Sequence, residues 1–295
     1  MRSWMVATVV VPLGVAAGMV VVPGQLAVAG PLADARAAAA YAASRGVAAG
    51  VAVLDTHDGS LWLAGEHDRT FSSASVVKVM IAARLLVSGQ MRGYTASRAT
   101  KMITGSDDSA ANALYGKVGG DGLINWAKAH YDVPSLGGPP TPPGRWGNTR
   151  ITARGLVHLY HKLKADPQVA PWLLATMHRA TRYGSDGRFQ FFGIPAAAAD
   201  FAIKQGWNCC DEGVATFNST GYVDDDRYAV ALLVDGPPHT YGTHLATTLD
   251  GMARALFPRG RPNHPTAQPP APARPLPPPG IIPRHDLQRP RACQS

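Results

Sequence analysis

Two hydrophobic rhythms run along this chain. "GVAAGVAVLDTHDG" (Gly46 to Gly59) alternates and then turns, and "LWLAG" follows; together they predict two strands of a hairpin. From Ser75 to about Ala180 the spacing of apolar positions changes to three and four. It runs through "VVKVMIAARLL", "DSAANALYGKV", "GLINWAKAHY", "TARGLVHLYHKL" and "VAPWLLATMHRAT", each a predicted helix. A Pro/Gly-rich loop, Val133 to Trp146, interrupts the series. Strand signals return in "DFAIKQGW", "GVATFNSTGYV" and "RYAVALLVDG", and an amphipathic helix is predicted over Thr243 to Leu256. Strands at both ends with helices between them predict an α/β (α+β) fold. One antiparallel sheet is completed by N- and C-terminal segments, and an all-helical domain is inserted between them. The α/β part is expected at about 40–74 and 190–256, and the helical part at about 75–189.

Both ends of the 295-residue chain differ from this middle. Residues 1–29 carry one charge, Arg2, then a long apolar stretch, then "LAVAG". Ala27-Val28-Ala29 fits a small-x-small cleavage site, which predicts a signal peptide and a secreted, extracytoplasmic protein starting near Gly30. The rival reading is an uncleaved membrane anchor, against which Pro12, Gly14, Gly18 and Pro23 argue. No cysteine stands near that site to carry a lipid. The globular domain is expected over 30–256. Residues 257–295 hold 12 of the 25 prolines, six arginines and one acid, Asp286. That composition predicts an extended, disordered basic tail. Removing its +5 and Arg2 from the formal +8 leaves only +2 for the domain, so the high pI does not indicate nucleic-acid binding. The tail suits an anionic cell-wall polymer, or is a solvated appendage. The domain itself is expected to be a monomer.

Cys209, Cys210 and Cys293 have no metal-ligand spacing. In an exported protein, either Cys209 or Cys210 can bridge to Cys293, or the adjacent pair can bond to each other. His158 and His161 share a helix face, and His239 and His244 flank a turn; neither pair has a third ligand, so no metal or other cofactor is expected. No GxGxxG, P-loop or GxSxG motif occurs.

"SSASVVKVM" (Ser72 to Met80) is the segment that suggests chemistry. Ser75 and Lys78 are three apart, one helical turn, in an otherwise apolar run. An amine at that distance takes a serine proton if burial lowers its pKa. Taken singly, Ser-x-x-Lys is equally a helix cap beside a lysine. "GSDDSAAN" (Gly105 to Asn112) and "IKQGW" (Ile203 to Trp207) follow in order. With these three segments the sequence resembles the class A β-lactamases and related penicillin-recognising serine enzymes, whose motifs are Ser-x-x-Lys, Ser-Asp-Asn and Lys-Thr-Gly. The resemblance covers about residues 40 to 256.

The resemblance implies a serine hydrolase that works through an acyl-enzyme on a β-lactam or a cell-wall-type peptide. Ser75 is implied as nucleophile and Lys78 as its proton acceptor or electrostatic partner. Ser106 is implied as proton relay to the leaving nitrogen, and Lys204 as its support and as a carboxylate attractor. Asp108, Gln205, Gly206 and Trp207 are implied as substrate-binding, with the N–H groups of Ser75 and Trp207 as oxyanion hole. Three departures stand out. Asp108 replaces asparagine, and an ionised carboxylate accepts hydrogen bonds but donates none. Gln205 replaces a hydroxyl residue. The family's deacylating glutamate, in the loop before "TRITARGL", is absent: that loop offers only Asp132. Acylation with slow deacylation is the expectation. The alternatives are a catalytically decayed cell-wall-binding module, or an amidase or esterase of other specificity.

Overall fold

The computed structural model describes residues 31–260 and Pro262. The expected signal segment and residues 261 and 263–295 of the expected tail, Cys293 among them, lie outside the described residues; Phe257, expected to begin that tail, is instead buried in the core, 2% exposed. Helix α1 (Pro31–Ser44) leads into strands β1 (Ala48–Asp55) and β2 (Leu61–Gly65) and the short β3 (Phe71–Ser72). A 3₁₀ turn, Ala74–Val77, opens the helical region. It comprises α2 (Lys78–Val87), α3 (Gly93–Thr104), α4 (Asp108–Tyr115), α5 (Leu123–Tyr131), α6 (Ala153–Ala165) and α7 (Ala170–Met177). The two-residue strands β4 (Gly137–Gly138) and β5 (Arg150–Ile151) pair beside β3 between α5 and α6. Strands β6 (Phe201–Asn208), β7 (Ala215–Val223) and β8 (Tyr228–Gly236) and helix α8 (Thr243–Leu256) close the chain.

The large sheet has the order β2-β1-β8-β7-β6, with all neighbours antiparallel. Its centre therefore joins β1, from the start of the domain, to β8, from its end. The observed architecture is the α/β fold expected, with helices inserted between the two sets of strands.

Period-two alternation divides the sheet between two cores. Ala229, Ala231 and Leu233 of β8 join the core shared with the helical region; Val230, Leu232 and Val234 join the core beneath α1 and α8. Both faces of β7 and β8 are buried, which explains their long apolar runs. Helix α1 has no counterpart among the predicted elements. Its alanines give a weak periodic contrast, yet Ala35, Ala38 and Ala42 are fully buried at helical spacing. Helix α3 was likewise not singled out by the pattern; its buried face is only Ala99, Met102 and Ile103.

Strand β6 is an edge strand, and its residues place the site. The Thr220 hydroxyl donates to the Lys204 carbonyl at 2.6 Å and pairs with the Tyr160 hydroxyl of α6 at 2.8 Å. Asn218, opposite Gly206 on β7, donates to the carbonyls of Ser72 and Ser73 at 2.9 and 3.1 Å. These bonds clamp the chain leading to Ser75 onto the sheet. Gly206 makes the approach possible, because a Cβ there would lie 2.8 Å from Ser73 O and 3.1 Å from Ser75 N.

This predicts the outcome of Gly206→Ala. Overpacking at such a contact costs roughly 1–3 kcal/mol. Thermal unfolding is expected to show that loss, whereas Gly116→Ala, where a Cβ meets nothing within 4 Å, is expected to change stability little. Equal melting temperatures for the two variants would contradict the packing account.

Candidate active site

Ser75 lies in the 3₁₀ turn, and Lys78 is the first residue of α2. The turn carries their side chains to the same side, with Lys78 Nζ 2.8 Å from Ser75 Oγ. Ala74, just before the serine, has a φ of 45°. Ser106, between α3 and α4, has a φ of 54°. Left-handed non-glycine residues are held against a local cost of about 1–3 kcal/mol and cluster at functional sites. Here the two flank one lysine. Lys78 Nζ donates to Ser106 O at 2.7 Å, approaches Ser106 Oγ at 3.4 Å and donates to Asp108 Oδ1 at 2.5 Å.

Lys78 is completely buried, whereas the Asp108 side chain is 66% exposed. Burial pushes the Lys78 amine below its ordinary value, while the Asp108 carboxylate, by charge and hydrogen bond, opposes that shift. Lys204 is also buried. Its Nζ donates to Ser106 Oγ at 2.9 Å and to Gln205 O at 2.8 Å. Burial drives this amine well below its ordinary value, and repulsion from Lys78 adds to the fall. Ser106 Oγ thus lies between two amines of weakened proton affinity.

A cavity of about 370 Å³ opens above this array. Ser75, Asp108, Asn112, Trp146, Asn148 and Trp207 are among its lining residues. The loop Val133 to Trp146 supplies the indole of Trp146. Its ring centroid is 4.8 Å from Lys78 Nζ, and its Nε1 donates to Asn112 Oδ1 at 2.7 Å. Asp132, the loop's expected carboxylate, caps the C-terminus of α5 and does not line the cavity.

Two sequence expectations need correction. Gln205 does not present its amide to substrate. Neighbouring strand residues point to opposite faces, so Lys204 facing Ser106 sends Gln205 into the other core. There, 1% exposed, it donates to the carbonyls of Gln190 and Phe192 at 2.9 and 2.6 Å. Gly206 accommodates the protein's own Ser73–Ser75 backbone rather than a substrate. Trp207 does line the cavity, and its indole Nε1 donates to Asp186 Oδ2 at 3.0 Å.

Asn112, Trp146, Asn148, Asn218 and Asp186 are site or support residues that the motifs did not identify. Asn112 was within reach, four residues after Asp108 on one helix face. Trp146 carried a weaker signal, as a large aromatic ending a polar loop. Asn148, Asn218 and Asp186 carried none. Cys209 and Cys210 are joined as a disulfide directly after β6. Among the described residues, no cluster of three or more His, Cys, Asp or Glu side chains is arranged to hold a metal ion.

No protein-family model matches the chain. Among solved structures, it is similar to the class A β-lactamase from Mycobacterium abscessus at TM-score 0.59 and 16% identity, over 75% of this chain and 96% of that one. It is similar to TLA-3 extended-spectrum β-lactamase at TM-score 0.61 and 12% identity, over 78% and 98%. A third similar structure is a mutant of PBP-A in an acyl-enzyme complex with penicillin G, at TM-score 0.57 and 18% identity over 75% and 93%. These likenesses establish the fold. In sequence, the chain is 31% identical over 238 residues to "Putative lipoprotein LppW" of Mycobacterium tuberculosis, covering 77% of this chain and 74% of that protein. The chain belongs to the LppW family, on the class A β-lactamase-like fold.

Proposed function

We propose that this protein is an exported serine hydrolase that acylates Ser75 with a β-lactam or a cell-wall-type peptide. The observation that carries this reading is the 2.8 Å contact between a fully buried Lys78 amine and the Oγ of Ser75, a residue that lines a substrate-sized cavity. The extracytoplasmic location rests on the N-terminal segment and on the relative's description as a lipoprotein. The cysteines of this sequence stand only at positions 209, 210 and 293, so we propose export without a lipidated cysteine at the "LAVAG" site.

Acylation begins with Lys78 passing its proton to Asp108 across 2.5 Å. The free amine then takes the Ser75 hydroxyl proton across 2.8 Å as Oγ attacks the substrate carbonyl. Lys78 and Asp108 act as one base, joined by their 2.5 Å contact. The amides of Ser75 and Trp207 stabilise the developing oxyanion; such a donor is worth roughly 3–4 kcal/mol. As the C–N bond breaks, Ser106 Oγ gives its proton to the nitrogen and is refilled from Lys78, 3.4 Å away. Lys204 holds Ser106 Oγ in position at 2.9 Å and attracts a substrate carboxylate. Asp108 then returns its proton to Lys78. Because the loop offers Trp146 and no carboxylate at the cavity, deacylation is slow and the adduct persists.

Intact mass after incubation with penicillin G tests the reading. The native protein is expected to gain the mass of one penicillin, localised to the peptide containing Ser75. Ser75→Ala is expected to lose the adduct and keep its fold, with a stability loss of about 1–3 kcal/mol for the acceptor removed from the buried Lys78 amine. An undiminished adduct in that variant would exclude Ser75, and no adduct on the native protein would remove the β-lactam reading.

A further inference from the structure

The acyl-enzyme proposed above must be cleared by activated water, and the loop that lies over Lys78 brings a tryptophan rather than an acid. We propose that Asp108, at the first turn of α4, is the general base that deacylates Ser75. This rests on the acyl-enzyme reading and adds to it a second-step catalytic residue.

Three observations carry the proposal. Among the described residues lining the cavity, Asp108 is the only carboxylate, and Ser75 lines the same cavity. The neighbouring acids are engaged elsewhere: Asp107 accepts from Ala110 N at 2.9 Å as the cap of α4, and Asp186 accepts from Trp207 Nε1 at 3.0 Å. Finally, Asp108 is 66% exposed although its Oδ1 contacts Lys78 at 2.5 Å, so the carboxylate is fixed by one oxygen and open to solvent. A general base needs this combination of fixed position and access to water.

The step balances on groups already present. Water attacks the acyl carbon and gives a proton to Asp108. The bond between the acyl carbon and Ser75 Oγ breaks, and Oγ takes a proton from Lys78 across 2.8 Å. Asp108 then hands its proton to Lys78 across 2.5 Å, which restores the resting pair. The acid departs with the water oxygen. The same pair thus serves both halves of the reaction.

The test follows adduct decay by intact mass after excess probe is removed. The probes are penicillin G and p-nitrophenyl acetate, whose leaving group departs without proton donation. Because Asp108 also accepts a proton in acylation, the variant adducts are accumulated by prolonged incubation with excess probe before decay is followed. The native adduct is then expected to decay, and the Asp108→Asn adduct to decay about 10²–10⁴-fold more slowly, the range of general-base assistance. The Asp108→Ala adduct is expected to decay faster when formate is added, because a small carboxylate occupies the vacated position; a purely structural role would give no such rescue. Equal decay of the native and Asp108→Asn adducts, or no response of Asp108→Ala to formate, would overturn the assignment while leaving Ser75 acylation in place. A native protein that neither probe acylates would overturn the acyl-enzyme reading and this inference together.

Discussion

A buried ammonium must be matched by acceptors, and the local structure around Lys78 meets that requirement. Removing one such charge from water costs several kcal/mol unless partners compensate. Lys78 finds Ser75 Oγ, Ser106 O and Asp108 Oδ1 at 2.5–2.8 Å. Each partner comes from a different local device. Ser75 is placed by a 3₁₀ turn after a left-handed alanine, Ser106 by its own left-handed backbone, and Asp108 by the first turn of α4. Strand β6 completes the cluster with Lys204, a second buried amine that burial, with repulsion from Lys78 added, holds well below its ordinary value. In the proposed reaction neither lysine acts alone. Their effect depends on the sheet clamp at Gly206 and Asn218, which holds the serine turn against β6.

The departures from the β-lactamase pattern are physically connected. With no acid in the cavity-lining part of the loop, Trp146 covers the Lys78 amine and bonds to Asn112 instead. An aspartate in the second motif then provides the negative charge that the lysine lacks on that side. The negative charge beside Lys78 comes from a helix start, where the backbone dipole also favours a carboxylate. In the proposed reaction the exposed Asp108 and the buried Lys78 divide the work, Asp108 open to solvent and Lys78 in contact with Ser75 Oγ.

Much of this was legible in the sequence. Strand signals at both ends predicted one antiparallel sheet built from remote segments, though not its order, and Ser75, Lys78, Ser106, Asp108 and Lys204 converge in space as their motifs imply. Gln205 shows where motif matching fails and elementary geometry succeeds. Lys204 faces Ser106 while the Gln205 amide is buried against Gln190 and Phe192, as alternation along a strand favours. Helix α1 was illegible for a different reason: an alanine-rich face buries well but contrasts little with its surroundings. Asn218 and Asp186 were invisible because their partners are remote in sequence, and only the fold brings them to the site.

The account depends most directly on the electrostatic coupling of Lys78 to Asp108. Titrating the Lys78 amine by ¹⁵Nζ NMR, in the native protein and in Asp108→Asn, measures it. Burial lowers the amine and Asp108 raises it. The native lysine is therefore expected to titrate below its ordinary 10.5, and removal of the carboxylate charge to move it lower still. An unchanged or higher titration point in Asp108→Asn would contradict the coupling, and with it the view that the two residues act as one base.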